Sequence, residues 1–222
     1  MPRALLLLLM LYGWHACASV TTPARLTEGP GSIESLLRVP EGVEPGRYEI
    51  YCEAAIRRGG RAGAFLCYSP DKSDRSLGNA VSRAGRRARF VPATRDGKKA
   101  EVYMLLMVRI DITQQGPLVL VLPNNGIEAA RYGQFYTAPQ RFNEFTWHDD
   151  FHRSFASSDI LLWHKMQIDE HGKVVEFKLD NVSNAPQWFV ERIEEQVKRM
   201  EFMPGYFEGK PAPMRYIEPV LR

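Results

Sequence analysis

The chain has 222 residues, of which 45% are hydrophobic and 25% charged, and its formal net charge is +3. This length accommodates one or two domains, and the composition is that of a globular protein rather than a disordered one. The charge is unevenly distributed. Arg57 to Lys99 hold twelve Lys/Arg and three Asp, whereas Ile160 to Arg222 hold nine basic and ten acidic residues. The basic stretch favours an anionic partner, with a solvated Arg-rich surface as the alternative.

Residues 1–18 have the features of a cleaved signal peptide. Arg3 provides a short positive region, Ala4 to Tyr12 form a Leu-rich run, and Ala16 to Ala18 supply small residues before a cleavage site. The apolar run is shorter than the roughly 20 residues that a membrane-spanning helix needs. We therefore predict cleavage near Ala18 and export to an oxidising compartment. The alternatives are an uncleaved membrane anchor and lipidation at Cys17.

One motif, Phe-x-Pro-x-x-x-(Asp/Glu)-Gly-Lys, occurs twice, 112 residues apart. Its members are Phe90, Pro92, Gly97 and Lys98 in the first copy and Phe202, Pro204, Gly209 and Lys210 in the second. The same offset aligns the chain from Tyr48 to Ile110 without a gap. An ungapped match of this length indicates an internal duplication, and two copies indicate tandem small folds rather than a solenoid.

Repeat 1 is predicted to span residues 46–112, after a lead-in segment over 19–45 with one short element near Ile33 to Val39. Its hydrophobic patterns predict elements that follow the order strand, strand, helix, strand. These are strands over Tyr48 to Ile56 and Ala62 to Tyr68, a helix over Ser76 to Ala88, and a strand over Glu101 to Ile112.

Cys52 and Cys67 lie opposite each other if the first hairpin turns at Gly59-Gly60. In an exported protein this placement predicts a disulfide bond. A two-residue turn would make them a hydrogen-bonded pair, which suits a disulfide less well, and a small shift of the turn would remove the difficulty. A pair of reactive thiols is the alternative, although no Cys-x-x-Cys pattern supports it.

Residues 113–159 separate the repeats and are rich in aromatic side chains. Pro117 to Leu122 are predicted to form a strand, and the many large apolar side chains predict a segment packed on one or both repeats rather than a flexible linker.

Repeat 2 is predicted over residues 160–222 with the same order of elements. It has strands over Ile160 to Ile168 and Val174 to Leu179, a helix over Pro186 to Met200 and a last strand over Pro213 to Leu221. Phe189, Ile193 and Val197 are expected to form the buried stripe of the helix. The predicted fold class is therefore α+β: two tandem ββαβ units, each a small antiparallel sheet with a helix on one face.

The sequence offers few candidates for catalysis. His148-Asp149-Asp150-Phe151-His152 contains four possible metal ligands, so a metal-dependent hydrolase is one hypothesis, but a polar loop explains the cluster more simply. His164 shares a strand face with Leu162 and Met166, which favours a core or rim histidine. Lys98 and Lys210 follow turn glycines and would suit phosphate or carboxylate, with a solvated lysine as the simpler interpretation. Without a nucleophile elbow, phosphate loop or Ser-His-Asp spacing, we predict no enzyme, cofactor or metal site.

Repeat 2 resembles the C-terminal domain of TonB and its relatives. The resemblance rests on the hairpin from Ile168 to Val174, the helix that follows it, Lys198 to Pro204, and Gly209 to Pro213. It covers about 60 residues of repeat 2 well, and repeat 1 more loosely.

The resemblance implies a periplasmic interaction module without enzymatic activity. Such domains bind an extended segment of an outer-membrane transporter by adding a strand to the sheet edge. The expected partner is thus an envelope protein or peptide, with an anionic surface on repeat 1 as a further possibility and no nucleic acid. The expected partner-binding residues lie on the last strand: Met214, Arg215, Tyr216, Ile217, Glu218 and Val220.

The alternative function is a membrane-anchored energy transducer for transmembrane transport. Transducers of this family have an uncleaved anchor and a long Pro-rich spacer, and this sequence departs from both features.

Overall fold

The computed structural model describes residues 20–69, 74–133, 135–142, 162–180 and 186–220. The predicted signal peptide and the His148 to His152 cluster lie outside these ranges. Within them, no helix has both the length and the apolar character needed to cross a membrane. The fold is mixed α+β with antiparallel sheets, as the sequence predicts.

The described elements are short except for the strands and helices that build the two repeats. The strands are β1 (Thr21–Thr22), β2 (Arg25–Leu26), β3 (Gly46–Ile56), β4 (Ala62–Tyr68), β5 (Phe90–Val91), β6 (Ala93–Arg95), β7 (Lys98–Ala100), β8 (Val102–Thr113), β9 (Gly116–Pro123), β10 (Tyr136–Thr137), β11 (Gln140–Phe142), β12 (Leu162–Ile168), β13 (Val174–Asp180), β14 (Phe202–Met203), β15 (Gly205–Phe207), β16 (Lys210–Ala212) and β17 (Met214–Val220). The helices are α1 (Ile33–Leu36), α2 (Arg75–Arg87), α3 (Ala129–Tyr132) and α4 (Gln187–Val197), with a 3₁₀ turn at Gly29–Gly31.

Repeat 1 is built on a sheet in which β8 lies beside β3, and β3 beside β4. Helix α2 packs on one face of this sheet through Ala80, Val81 and Ala84, which are buried as predicted. Small side chains let the helix approach closely. At Gly85 there is no room for even a Cβ, which would lie 2.4 Å from the ring of Phe65. The glycine that lowers helix propensity is therefore the one that permits this packing.

Repeat 2 is a three-stranded sheet in the order β13-β12-β17, with α4 against it. Ile193, Val197 and Met200 are buried against Met166 and Ile168, which confirms that part of the predicted stripe. The side chain of Phe189 lies outside the described part of the chain.

The two repeats have the same local geometry. The first hairpin turn is closed by a bond from Arg57 N–H to Arg61 O, and the second by a bond from Asp169 N–H to Lys173 O, both 2.9 Å. In each repeat the phenylalanine of the motif donates its N–H to the carbonyl oxygen of the hairpin glycine: Phe90 to Gly60 at 2.9 Å and Phe202 to Gly172 at 3.2 Å. These matches at an offset of 112 residues are what a duplication predicts.

Each repeat also includes a strand pair that the ungapped comparison does not reveal. In repeat 1, β1 pairs with β6 and β2 with β5. In repeat 2, β10 pairs with β15 and β11 with β14. The N-terminal strands match only after a shift of three further residues, since Thr21 faces Arg95 where Tyr136 faces Phe207. The segment predicted as a lead-in therefore forms part of repeat 1, and α1 confirms its one expected element.

Cys52 and Cys67 form the predicted disulfide. They are directly opposite each other in the pairing of β3 with β4, with Cα atoms 4.1 Å apart, the close spacing of a non-hydrogen-bonded pair. An irregularity between Ala55 and Ile56 shifts the register before the turn. The bulge therefore removes the difficulty that a two-residue turn would have created.

The inter-repeat segment is packed, as predicted, over its described part. Strand β9 contains the predicted Pro117 to Leu122 and pairs with β8 from Leu106 to Thr113. Strand β11 pairs with the beginning of β8 through Arg141 opposite Tyr103 and Phe142 opposite Val102. A strand that belongs to repeat 2 thus extends the sheet of repeat 1.

Candidate functional site

The repeats meet where the face of repeat 1 opposite α2 contacts repeat 2. Leu105 on β8 belongs to the hydrophobic core of repeat 2. Tyr51 and Tyr68 stack with ring centroids 5.6 Å apart, and Trp163 on β12 meets Tyr51 edge-on at 5.8 Å. Aromatic pairs of this geometry stabilise a contact beyond the area that they bury. The two repeats therefore share one interface.

The outer edge of β17, where the resemblance places the partner, is occupied by side chains of the inter-repeat segment. Asn124 accepts from Ile217 N–H at 3.3 Å and donates Nδ2–H to Ile217 O at 3.1 Å. Glu128 accepts from the backbone N–H of Arg215 at 3.0 Å and from its Nε at 2.7 Å. Outward-facing groups alternate along a strand, so the next outward position is Pro219, which has no N–H. No outward donor of this strand is left for a partner.

The expected partner-binding side chains are also mostly enclosed. Met214, Tyr216, Ile217 and Glu218 are buried, whereas Arg215 is exposed. The side chain of Val220 lies outside the described residues. Strand addition at β17 would therefore have to displace Asn124 and Glu128 first.

The long strands of repeat 1 are covered as well. Strand β8 lies between β3 on one side and both β9 and β11 on the other. At the opposite edge, the hydroxyl of Ser82 on α2 donates to the outward carbonyl oxygen of Phe65 on β4 at 2.7 Å. Strand β9 has a prolines-bounded edge, because Pro117 and Pro123 stand at outward positions without an N–H.

Strand β13 is the exception among the long described strands. Ile217 directs its backbone groups to Asn124, so Lys165 on β12 directs its own to Lys178 on β13, and Phe177 and Leu179 face outward. Across the described part of the chain, no hydrogen bond occupies these outward groups. The residue of α4 that corresponds to Ser82 is Glu194, which makes no such bond to Phe177.

A buried charge cluster connects the repeats. Arg141 on β11 is 1% exposed, and its Nη2 lies 3.1 Å from Glu53 Oε1 on β3 and 3.0 Å from Glu218 Oε1 on β17. Its guanidinium also stacks over the ring of Tyr103 at 4.6 Å. One cation thus binds two carboxylates, one from each repeat, which leaves an excess negative charge in the interface.

The surroundings shift the protonation of this cluster. Burial, together with the carboxylate of Glu218, raises the pKa of Glu53 to about 7 despite the opposing charge of Arg141. Burial, helped by the positive charge of Arg141, lowers the pKa of His164 to about 3. Burial also raises the pKa of Tyr216 well above its usual value. At neutral pH the cluster therefore holds a neutral histidine beside a glutamate that is partly protonated.

The space next to the cluster is too small for a substrate. The cavity bordered by Glu53, Tyr68, Trp163 and Glu218 has about 10 Å³ available to the centre of a water-sized sphere. This is enough for about one water molecule. The cluster is therefore suited to joining the repeats, not to catalysis on a bound molecule.

We expect Glu53→Gln to change how stability depends on pH. The pKa of Glu53 is raised from 4.5 to about 7 in the fold, so its contribution is fully present below pH 4.5 and is lost as pH rises through about 7. The free energy of unfolding of the wild type minus that of the variant should therefore fall across this window, by at most about 1.4 kcal/mol per pH unit. Urea unfolding at several pH values measures it, and a difference independent of pH would contradict the shift.

The motif residues serve mainly to build the turns. Phe90 and Phe202 are buried, and Gly97 and Gly209 adopt positive φ angles of 74° and 76°. Pro92 and Pro204 follow the buried phenylalanines and lie beside the hairpin glycines. Lys98 and Lys210 are exposed. Among the described residues there is also no group of three or more His, Cys, Asp or Glu that would hold a metal ion.

Comparisons with known proteins give no relative. No family model matches the chain, and no curated protein or solved structure matches it either.

Sequence reasoning misses Arg141, Asn124 and Glu128. Asn124 stands in a stretch that is typical of a turn, and a side chain that completes a distant strand edge leaves no periodic signal. Arg141 has one available signal: it pairs with Phe202 as Leu26 pairs with Phe90, so one copy has a charge where the other is apolar. Finding it requires the three-residue gap that the ungapped alignment lacks.

Proposed function

We propose that the chain is an exported interaction module of the periplasm, similar to the C-terminal domain of TonB, which binds an extended segment of an envelope protein by strand addition along β13. An outer-membrane transporter is the partner class that the resemblance suggests. The observation that carries the proposal is the outward backbone of Phe177 and Leu179, unoccupied among the described residues while the edges of β4, β8 and β17 are covered.

The composition of β13 suits reversible pairing. Phe177 and Leu179 contribute to the core on the α4 side, so the strand is anchored. Glu176 and Lys178 are exposed on the other face, and Lys178 Nζ lies 3.6 Å from Asp180 Oδ1. Charges on an edge strand oppose indiscriminate aggregation but still allow backbone pairing with a chosen segment.

The disulfide supports export of the module. Cys52 and Cys67 are joined in repeat 1, and disulfides persist in oxidising compartments. Repeat 1 does not present a comparable edge, since β9, β11 and Ser82 cover its long strands. Repeat 1 thus serves as the scaffold that holds β17 closed, and repeat 2 presents the binding edge.

The test combines residue-level hydrogen exchange with site-specific crosslinking. A photo-reactive amino acid replaces Val175, which is 62% exposed at the start of β13, and a control replaces Leu118, which is 68% exposed on β9. In an envelope extract, position 175 should crosslink a defined protein and position 118 should not. A peptide from that protein should then slow exchange of the Phe177 and Leu179 amides.

Two results would refute the site. Equal crosslinking from both positions would indicate nonspecific contact through exposed apolar side chains. Protection that appears at the Arg215 and Ile217 amides but not at Phe177 and Leu179 would return the binding edge to β17, with Asn124 and Glu128 displaced.

A further inference from the structure

A concave basic pocket lies at the junction of the repeats, away from β13. It has a volume of about 390 Å³, and its lining residues come from the β3–β4 turn, the β6–β7 hairpin and β11. They are Arg58, Arg95, Asp96, Lys98, Lys99, Ala100, Glu101 and Phe142. A volume of this size lies within the range of small-molecule sites.

The cations of this pocket are mostly available. Within the described residues, Arg58, Lys98 and Lys99 form no ion pair. Arg95 is fixed in place, because its guanidinium lies 4.8 Å from the centre of the Phe142 ring and its Nη1 lies 3.5 Å from Glu201 Oε2. The pocket thus has one positioned guanidinium and three exposed cations.

The two acidic residues of the pocket do not cancel this charge. Asp96 is engaged by the N-terminal strand: its Oδ1 accepts from Val20 N–H at 3.0 Å, and its own N–H donates to Val20 O at 2.8 Å. With four Lys/Arg against Asp96 and Glu101, the lining has a net charge of +2. Such a concavity attracts an anion that carries more than one charge.

The duplication provides an internal comparison. In repeat 2, the positions that correspond to Arg58, Arg95 and Lys99 hold Glu170, Phe207 and Pro211, and only Lys98 has a basic counterpart, Lys210. Both copies form the same hairpins, so the fold does not require these charges. A basic cluster that appears in only one of two equivalent places is explained by a ligand and not by folding.

We infer that this pocket binds a ligand bearing two or more phosphate charges. A guanidinium forms paired hydrogen bonds with phosphate oxygens, and lysines bind phosphate as mobile point charges. A single carboxylate would leave most of the four cations without a partner. The ligand is either a soluble phosphorylated compound or the headgroup of an anionic lipid, and both share the chemistry that the pocket recognises.

Titration calorimetry with inorganic pyrophosphate tests the site on the exported chain. Arg58→Ala/Lys98→Ala/Lys99→Ala should weaken binding at least about tenfold. The control, Arg83→Ala/Arg86→Ala/Arg87→Ala, removes three equal charges from the exposed face of α2 and should retain most of the affinity. Equal losses in both variants would indicate diffuse attraction by the basic repeat, and no binding of pyrophosphate to the wild type would also overturn the inference.

Vesicles separate the two sources of the ligand. Phosphatidylglycerol vesicles that bind the wild type, but not the pocket variant, would identify a lipid headgroup, and phosphatidylcholine vesicles provide the uncharged control. Pyrophosphate binding without vesicle binding would identify a soluble compound. Neither result depends on β13, so failure here leaves the strand-addition proposal standing, and the reverse also holds.

Discussion

Replacing Arg141 with methionine is expected to destabilise the protein by about 3–5 kcal/mol, the usual cost of removing one partner from a buried ion pair. Methionine retains the length and apolar stem of the side chain but leaves Glu53 and Glu218 facing each other without a cation. Their mutual repulsion should also raise the pKa of Glu53 further above 7. Chemical denaturation at pH 7 measures the loss, which should diminish at lower pH as the carboxylates become protonated.

The control removes the charges together. Arg141→Met/Glu53→Gln/Glu218→Gln has no uncompensated charge, and replacing a buried ionic network as a whole is often close to neutral. The triple variant should therefore recover most of the stability that Arg141→Met loses. A triple variant as unstable as the single one would show that the arginine acts through packing on Tyr103 rather than through its charge.

We expect Gly172→Ala to cost about 2–5 kcal/mol, from the sum of a left-handed backbone and an overpacked contact. Gly172 has a φ angle of 80°, and a Cβ there would lie 1.9 Å from the carbonyl oxygen of Phe202. That oxygen belongs to the backbone, so the hairpin of repeat 2 would have to move away from the motif turn. Thermal unfolding measures the effect.

Gly209→Ala is the matched comparison. Its φ angle is 76°, but no atom lies within 4 Å of an added Cβ. It therefore carries only the backbone penalty of about 1–2 kcal/mol. Equal losses at Gly172 and Gly209 would mean that the close approach of the hairpin to Phe202 contributes nothing to stability.

Closure of the last-strand edges in cis has a consequence for partner binding. In repeat 1 the edge of β8 receives β9 and β11, and in repeat 2 the edge of β17 receives Asn124 and Glu128. Both covers come from the segment that joins the repeats. The duplicated chain thus satisfies within itself the edges that a single domain would present, and this is why we place the binding edge on β13.

The sequence by itself determined the local structure of the two repeats. Alternating apolar residues predicted the long hairpins, the small-residue stripe predicted α2, and the spacing of Cys52 and Cys67 predicted the disulfide. Each of these features depends on residues near one another in the chain, where the periods of strand and helix constrain the pattern directly.

Only the tertiary structure decided what lies between the repeats. The pairing of Arg141 with Glu53 and Glu218, the cover of β17 by Asn124, and the basic pocket around Phe142 each join residues far apart in sequence. Such contacts depend on how one sheet packs on another, and a packing arrangement leaves no periodic trace along the chain. The sequence therefore predicted the two folds, whereas which of their edges remains open depended on how they pack together.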